Sequence, residues 1–262
     1  MPAPARETRP ARHRPGVAVT IREVWPRTAE GLDVPALVER YPRNTEPALR
    51  VNFVSSVDGA VTVDGFSAGL SGPGDKLIFD TLRMVCDAVV VGAGTIRKEN
   101  YDALRLDEAR RAWRRAHGLP EFPLMVIVSR SLELNLDQEV FSDAPIRPVV
   151  ITHATASPAR CREIDKAADV VAVGDGEVDL AAGLAALRER GATQLLCEGG
   201  PHLLGALTSA DLVDELCLTI SPLLVGGNAG RIATGAPGPA REMALRHVLA
   251  EDDTLFLLYT RR

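Results

Sequence analysis

The chain has 262 residues, of which 46% are hydrophobic, so it can bury the core of one large α/β domain or of two small ones. Its formal net charge of −5 gives no support for a nucleic-acid partner. The four cysteines lie within or beside apolar runs, which favours reduced thiols in a cytoplasmic protein over a disulfide framework, and no apolar run is long enough to span a membrane.

The first 16 residues differ from the rest of the chain. They are rich in proline and arginine and almost free of large apolar side chains, so they cannot bury enough surface to offset the entropy cost of ordering. We expect a disordered tail over residues 1–16 and a single domain over residues 17–262. An Arg-rich organellar transit peptide is the alternative, although the prolines oppose an amphipathic helix.

After the tail, apolar strand patterns alternate with helix patterns. Strands are predicted at residues 19–25, 49–55, 88–91, 124–129, 147–152, 170–173, 194–197, 215–220, 244–249 and 254–259. Helices are predicted at residues 35–40, 75–84, 108–117, 158–168, 180–190 and 201–207. This order predicts an α/β fold with three α/β/α layers, in which a mostly parallel central sheet carries antiparallel C-terminal strands.

The C-terminal strands also bear on assembly. The runs at residues 215–220 and 254–259 are rich in apolar side chains. A bare apolar sheet edge pairs with other chains unless it is covered. We therefore expect a homodimer.

Several common site motifs are missing. The sequence has no Cys-x-x-Cys, and its five histidines lie far apart, so a metal site is poorly supported. It contains neither a Gly-x-x-x-x-Gly-Lys-Ser/Thr phosphate loop nor a Gly-x-Gly-x-x-Gly fingerprint, which argues against a standard Rossmann dehydrogenase.

Two glycine turns directly follow buried strands. The first is Gly92-Ala93-Gly94-Thr95, and the second, Glu198-Gly199-Gly200-Pro201, opens a helix. Glycines let a cofactor approach the backbone closely, and a helix N-terminus attracts pyrophosphate. Ordinary tight turns would also explain both runs, and the paired glycines permit an unusual backbone such as a cis peptide bond. A plain turn has no need of the Glu198 carboxylate, however, and ligands of open α/β sheets bind at the carboxyl ends of strands.

A Ser-Arg pair ends the predicted strand at residues 124–129. The Ser129 hydroxyl and the Arg130 guanidinium can donate hydrogen bonds to the 2′-phosphate of NADP. The sequence places no acidic residue at this strand end to take a ribose 2′-hydroxyl. We therefore expect NADPH to be preferred over NADH, with a solvated Arg130 as the alternative.

Together these motifs resemble the RibD C-terminal family, the reductase half of the riboflavin-pathway deaminase/reductase, whose fold is dihydrofolate-reductase-like. The resemblance covers about residues 50–260 and includes the strand end Ser56-Val57-Asp58-Gly59. It implies NADPH-dependent reduction of 5-amino-6-(5-phosphoribosylamino)uracil or a close analogue, with hydride transfer to C1 of the ribosyl imine, by a dimeric enzyme. The zinc-binding His-x-Glu and Pro-Cys-x-x-Cys of the deaminase half are absent, so no deaminase activity is expected.

The resemblance and the chemistry of the turns nominate two sets of site residues. The cofactor-binding candidates are Val54, Gly69, Gly92, Gly94, Thr95, Glu99, Ser129, Arg130, Gly199, Gly200, Pro201, His202, Leu203, Leu204, Gly205 and Ala206. The substrate-binding candidates are Ser67, Arg83, Leu104, Arg105 and Glu198, of which Glu198 is also the catalytic candidate. By resemblance, Arg83 holds the substrate phosphate and Glu198 contacts the pyrimidine or ribityl part.

The substrate half departs from the family pattern. Relatives usually carry lysine at the position of Asn52 and a cation at the position of Ala60. A pocket with fewer cations would also suit a dihydropteridine, which carries no phosphate. Asp75 or Asp80 could then pair with the protonated form of its ring. Reduction of a dihydropteridine such as dihydrofolate and a non-catalytic NADP-binding role therefore remain as alternatives.

Overall fold

The structure, a computed structural model, describes residues 19–99, 101–235 and 238–262, so the tail predicted at residues 1–16 lies outside it. The strands are β1 (Ile21–Trp25), β2 (Ala29–Leu32), β3 (Ala48–Ser56), β4 (Ala88–Gly92), β5 (Leu124–Val128), β6 (Val149–Thr152), β7 (Asp169–Ala172), β8 (Gln194–Gly199), β9 (Glu215–Ser221), β10 (Met243–Glu251) and β11 (Thr254–Arg261). The helices are α1 (Val34–Arg40), α2 (Pro73–Val85), α3 (Ala93–Lys98), α4 (Glu108–Ala116), α5 (Glu139–Ser142), α6 (Pro158–Ile164), α7 (Leu180–Glu189) and α8 (Pro201–Ser209).

The strands form one sheet in the order β2-β1-β10-β11-β9-β3-β8-β4-β5-β6-β7. Along this order, the four pairings from β2 to β9 are antiparallel, and the six pairings from β9 to β7 are parallel. The predicted α/β class and its mostly parallel sheet with antiparallel C-terminal strands are therefore confirmed.

The C-terminal strands do not form a bare edge. β11 lies between β10 and β9, and β9 pairs with β3 on its other side. β2 and β7 are the outer strands of the sheet instead. The edge argument for a homodimer was wrong, because apolar composition marks interior strands as readily as exposed ones.

Two apolar cores lie on the two faces of the sheet. In β4, Val89 and Val91 belong to one core and Ala88 and Val90 to the other, as the two-residue period of a strand requires. The first core packs α1, α2, α3 and α6, and the second packs α7 and α8. This arrangement gives the predicted three layers.

Helix α2 positions much of the site described below. It begins with Pro73 directly after Gly72, two residues earlier than predicted, because proline suits the first helical turn. Ile78 and Leu82 are one turn apart and almost fully buried against the sheet. The start of α2 lies beside the carboxyl ends of the strands, because Pro73 and Asp75 line the same cleft as Gly92 and Gly199.

Three short elements were not predicted, namely β2, α3 and α5. β2 has no alternating apolar pattern and is held by antiparallel pairing with β1. Helix α3 begins at Ala93, inside the run that the sequence suggested as a turn. Such short elements are stabilised mainly by tertiary contacts, so their sequences carry little local signal.

All four cysteines are free thiols, and three of them are buried. No helix in the described segments is both long and apolar enough to cross a bilayer. The same segments do not bring three metal-ligating side chains together.

Candidate functional site

A cleft of about 1470 Å³ opens at the carboxyl ends of the central parallel strands. The ends of β3, β4, β5 and β8 all contribute to its lining, together with the starts of α2, α3 and α8. The ends of β4, β5 and β8 that the sequence singled out therefore meet at one crevice, whereas the strand end Ser56-Val57-Asp58-Gly59 is outside its lining. The predicted residues that line it are Val54, Ser67, Gly92, Gly94, Thr95, Glu99, Ser129, Arg130, Glu198, Gly199, Gly200, Pro201, His202, Leu203 and Ala206.

The two glycine turns pack against each other. A Cβ added at Gly200 would lie 2.8 Å from Thr95 Oγ1, which is too close for an undisturbed contact. Gly199 has a φ of +139°, a conformation that side chains disfavour, and the Gly199–Gly200 peptide bond is cis. The positive φ at Gly199 and the close packing at Gly200 therefore favour glycine at both positions, whatever ligand approaches them.

The start of α8 can receive an anion. Leu204 donates its N–H to Gly200 O, so the helix ladder begins there and the amides of the preceding turn lack helical acceptors. Beside it, a Cβ added at Gly94 would meet no described heavy atom within 4 Å other than its chain neighbours and the backbone of its own helix α3. Bare backbone beside a helix N-terminus fits the phosphates of a dinucleotide.

The pair Ser129-Arg130 has a neighbour that the sequence did not reveal. Arg130 Nη1 lies 2.5 Å from Glu177 Oε1, and both side chains line the cleft and are well exposed. The premise that no acidic residue stands at this strand end was therefore wrong. Glu177 follows β7, 47 residues further along the chain, so strand-end spacing could not reveal it.

Ser129 is tied to its own loop. It is 3% exposed, and its Oγ accepts the Leu132 N–H at 3.0 Å. The hydroxyl proton is not used in this bond, so it stays available to a ligand in the cleft.

A buried ionic cluster backs the other half of the cleft. Arg83 Nε and Nη2 donate to Glu198 Oε1 and Oε2 at 2.7 and 2.8 Å, a bidentate pair. The Tyr101 hydroxyl donates to Glu198 Oε2 and accepts from Arg83 Nη2. The guanidinium also lies 4.1 Å from the ring centroid of Phe79, which lines the cleft.

This cluster separates Glu198 from solvent. Its side chain is 1% exposed although the residue as a whole is half-buried, so Glu198 meets the cleft mainly through its main chain. Burial raises the pKa of the Glu198 carboxyl, and the Arg83 charge opposes that rise. Burial also disfavours the charged form of Arg83, but Glu198 outweighs this and raises the guanidinium pKa.

Some predicted residues lie away from the cleft lining, and the buried Arg83 is one of them. Arg105 is exposed and pairs with Asp143, and Leu104 is buried in the first core.

Gly69 lies in a short 3₁₀ turn, where a Cβ would come 2.9 Å from Val63 Cβ. Gly205 faces the backbone of Thr234, and its neighbour Leu204 is in the second core. For these glycines and leucines, packing accounts for the residue type.

Ser67 and Glu99 meet at the mouth of the cleft. The Ser67 N–H lies 3.4 Å from Glu99 Oε1, and both residues line the cleft. This contact joins the loop before α2 to the end of α3. It places a predicted substrate residue beside a predicted cofactor residue.

Asp75 is a second buried carboxylate of the cleft. Its Oδ1 accepts from the Thr219 hydroxyl at 2.6 Å, and its Oδ2 accepts from the Ser71 hydroxyl. Asp80, the other carboxylate considered from the sequence, is outside the cleft lining and pairs with Lys76 and Arg110. The partner Thr219 could not have been found from spacing, because it lies 144 residues away on β9.

Comparison with known proteins identifies the family. Residues 47–256 match the RibD C-terminal domain. The chain is 31% identical over 182 residues to the 2,5-diamino-6-ribosylamino-4(3H)-pyrimidinone 5′-phosphate reductase of Archaeoglobus fulgidus, covering 69% of this chain and 83% of that protein. It is 30% identical to the reductase of the same name from Methanothermobacter thermautotrophicus, over 73% of this chain and 85% of the relative.

A solved structure agrees with this match. The pyrimidine reductase-like protein of Corynebacterium diphtheriae superposes with a TM-score of 0.76 and 28% identity, covering 82% of this chain and 92% of that chain. The dihydrofolate-reductase-like fold expected from the sequence is thereby confirmed. The chain belongs to the RibD C-terminal domain family.

Proposed function

We propose that the protein is the NADPH-dependent reductase of riboflavin biosynthesis that acts on a ribosylaminopyrimidine 5′-phosphate. The substrate named for the two archaeal relatives, 2,5-diamino-6-ribosylamino-4(3H)-pyrimidinone 5′-phosphate, is the first candidate, and the corresponding uracil is the second. The observation that carries the proposal is the cleft itself. In a chain of this family, it joins glycine turns suited to a dinucleotide with a half lined by carboxylate and aromatic side chains.

The glycine half is assigned to the cofactor. The start of α8 and the bare backbone at Gly94 would hold the pyrophosphate. Ser129 and Arg130 would bind the 2′-phosphate once Arg130 turns from Glu177, and this contact favours NADPH over NADH. The reduced nicotinamide, when bound, supplies a hydride.

The opposite half is assigned to the substrate. Glu198 is held by Arg83 and Tyr101, so its carboxylate keeps one orientation and its main chain borders the cleft. The Nη1 donor of Arg83, 3.4 Å from the exposed Asp102, is the part of the guanidinium that a substrate phosphate could take over. The carbon that is reduced is C1 of the open-chain ribosyl imine, which must lie between the two halves.

The proposal includes a homodimer. Its support is an apolar face of the sheet at β9 and β11, and not an unpaired strand at the edge of the sheet. Leu218 pairs with Leu257 and Ile220 with Leu255 across β9 and β11. These side chains are half-buried or exposed, whereas their neighbours Phe256 and Leu258 are buried under the helices of the first core. A second copy could cover this apolar face. A monomeric mass by light scattering at micromolar concentration would contradict the dimer.

A cytoplasmic location is also proposed, because buried unpaired thiols persist in reducing compartments. The small-molecule substrate is soluble, and the protein needs no membrane or nucleic-acid partner for the reaction.

The test is a side-by-side assay of NADPH oxidation. The purified protein is given the diaminopyrimidinone phosphate, the uracil phosphate and dihydrofolate, and the ribitylamino product is identified by mass spectrometry. We expect turnover of a ribosylaminopyrimidine phosphate and little or none of dihydrofolate. Efficient turnover of dihydrofolate alone would support the dihydropteridine alternative, and NADPH binding without any turnover would support a non-catalytic role.

A further inference from the structure

Asp75 does not cap helix α2, although it lies in the first turn of that helix. A carboxylate at such a position usually interacts with free backbone N–H groups. Here the Gly74 N–H is instead taken by Glu251 Oε2 at 2.8 Å. Asp75 accepts from two side-chain hydroxyls, and the residue is only 8% exposed. The helix start therefore has another carboxylate, and Asp75 faces the cleft.

A buried carboxylate needs more than two hydroxyl bonds. Burial raises the pKa of the Asp75 carboxyl, while the bonds from Ser71 and Thr219 oppose the rise. An ionised carboxylate has about four lone-pair positions on its two oxygens. Each oxygen accepts from one hydroxyl and so keeps capacity for one more donor, and Asp75 lines the cleft. The side chain can thus accept two parallel N–H groups.

The position of Asp75 fits the substrate rather than the cofactor. Thr219, which orients it, lies on β9 opposite Val54 of β3. The glycine turns belong to β4, β8 and α8, on the other side of β3 in the sheet. A ligand bound to Asp75 and a dinucleotide bound at the glycine turns would therefore approach each other across β3 and β8.

We propose that Asp75 is the specificity-determining residue of this site and that its carboxylate accepts the ring N3–H and the 2-amino group of the pyrimidine. This inference rests on the proposed function. A 2,5-diaminopyrimidinone presents two adjacent N–H donors on that edge. The corresponding uracil presents N3–H beside the 2-oxo group, so a carboxylate would face a carbonyl oxygen and lose one hydrogen bond. Asp75 thus selects the substrate that still carries its 2-amino group.

The discrimination has a physical basis in unpaired polar groups. A site built to accept a substrate N–H strongly rejects an analogue that lacks the donor, because buried polar atoms then stay unsatisfied. The acceptor–acceptor contact between the Asp75 carboxylate and the 2-oxo group adds repulsion. We expect wild type to favour the diaminopyrimidinone over the uracil by about a hundredfold in kcat/KM.

Asp75→Asn tests the inference because it replaces one acceptor oxygen of the side chain with an NH₂ donor and leaves the size of the side chain nearly unchanged. An asparagine amide can accept from N3–H and donate to the 2-oxo group, so it matches the uracil. Both neighbouring hydroxyls can donate or accept, which lets the amide adopt that orientation. The ratio of kcat/KM for the two substrates should fall by roughly a hundredfold or invert, mainly through loss with the diaminopyrimidinone.

Glu251→Gln is the matched control. It alters the carboxylate at the same helix start, which contacts Gly74 N and lies outside the cleft lining. We expect an unchanged substrate ratio for this variant, while thermal unfolding verifies that both variants fold. If Asp75→Asn does not fold, the wild-type ratio decides, and equal use of both substrates or a preference for the uracil overturns the inference.

The outcomes separate the two levels of the proposal. Turnover of both pyrimidines with the same ratio in wild type and Asp75→Asn overturns the role of Asp75 and leaves the reductase function standing. A lack of turnover of either pyrimidine by wild type overturns the proposed function and the inference together.

Discussion

The two halves of the cleft are built from different parts of the chain. The cofactor half is made mainly of backbone, namely the glycine turns after β4 and β8 and the first turn of α8, with Ser129 and Arg130 at its rim. The substrate half is made of side chains whose partners are remote in sequence, such as Arg83 with Glu198 and Asp75 with Thr219. The first half depends on the absence of Cβ atoms and the second on paired charges and hydroxyls. Substitutions should therefore damage the two halves in different ways.

The largest effect is expected in the buried pair of the substrate half. Arg83→Ala leaves the Glu198 carboxylate buried without its counter-ion. Breaking a buried pair in this way costs about 3–5 kcal/mol. We expect the free energy of unfolding in urea to fall by that amount.

The control for Arg83 is Arg105→Ala. Arg105 is also a predicted substrate contact, but its pair with Asp143 is exposed on both sides. An exposed pair contributes about 0–1 kcal/mol, so stability should barely change. Equal losses of stability in the two variants would show that Arg83 and Glu198 are not coupled as the structure indicates.

Where Arg83→Ala stays folded, its Michaelis constant for the phosphorylated substrate should rise about ten-fold if Nη1 binds the phosphate.

The cofactor half should lose binding rather than stability alone. Gly200→Ala places a methyl group 2.8 Å from Thr95 Oγ1, so one turn must shift. We expect the protein to remain folded and its affinity for NADPH to fall at least a hundredfold, because the dinucleotide requires both turns in place. Fluorescence titration with NADPH, together with thermal unfolding, measures the two effects separately.

Gly94→Ala separates contact with the cofactor from the distortion that Gly200→Ala causes. Apart from its chain neighbours and the backbone of α3, the added methyl group meets no described heavy atom within 4 Å, so the packing of the two turns should be undisturbed. A loss of NADPH affinity in Gly94→Ala would therefore report the proximity of the cofactor directly. If Gly200→Ala binds NADPH normally, the paired glycines serve only the local turn.

The difference between the halves also explains what the sequence could predict. Strand patterns and glycine turns are local signals, so a mostly parallel sheet and a crevice at residues 92–95 and 198–201 could be predicted, whereas the order of the strands was not. The pairing of Arg83 with Glu198 spans 115 residues, and that of Arg130 with Glu177 spans 47. Sequence spacing does not carry such contacts, and for this reason the Arg83 pair and the Glu177 neighbour were missed.

A smaller effect is expected at the rim of the cofactor half. Arg130→Ala removes a charge-assisted hydrogen bond to the 2′-phosphate, which is worth about 1.5–3 kcal/mol. The wild-type residue must first leave Glu177, so the net loss of NADPH affinity should be nearer ten-fold than a hundredfold. NADH affinity should barely change, because NADH carries no 2′-phosphate for Arg130 to bind. Equal losses for both cofactors would remove Arg130 from the 2′-phosphate site.

The smallest expected effect comes from Glu177, and it has the opposite sign. Glu177→Gln removes the carboxylate that pairs with Arg130. This pair is exposed to solvent, because the Arg130 side chain is 65% exposed and the Glu177 side chain 75%. Because such a pair is worth about 0–1 kcal/mol, freeing Arg130 should strengthen NADPH binding by no more than about five-fold. NADH, which offers a ribose 2′-hydroxyl that the Glu177 carboxylate could accept from, should bind equally well or more weakly. The same titrations on Glu163→Gln, which removes an exposed carboxylate from the pair with the half-buried Arg160, should show no change in either affinity. Weaker NADPH binding in Glu177→Gln would mean that Glu177 orients Arg130 for the phosphate instead of competing with it.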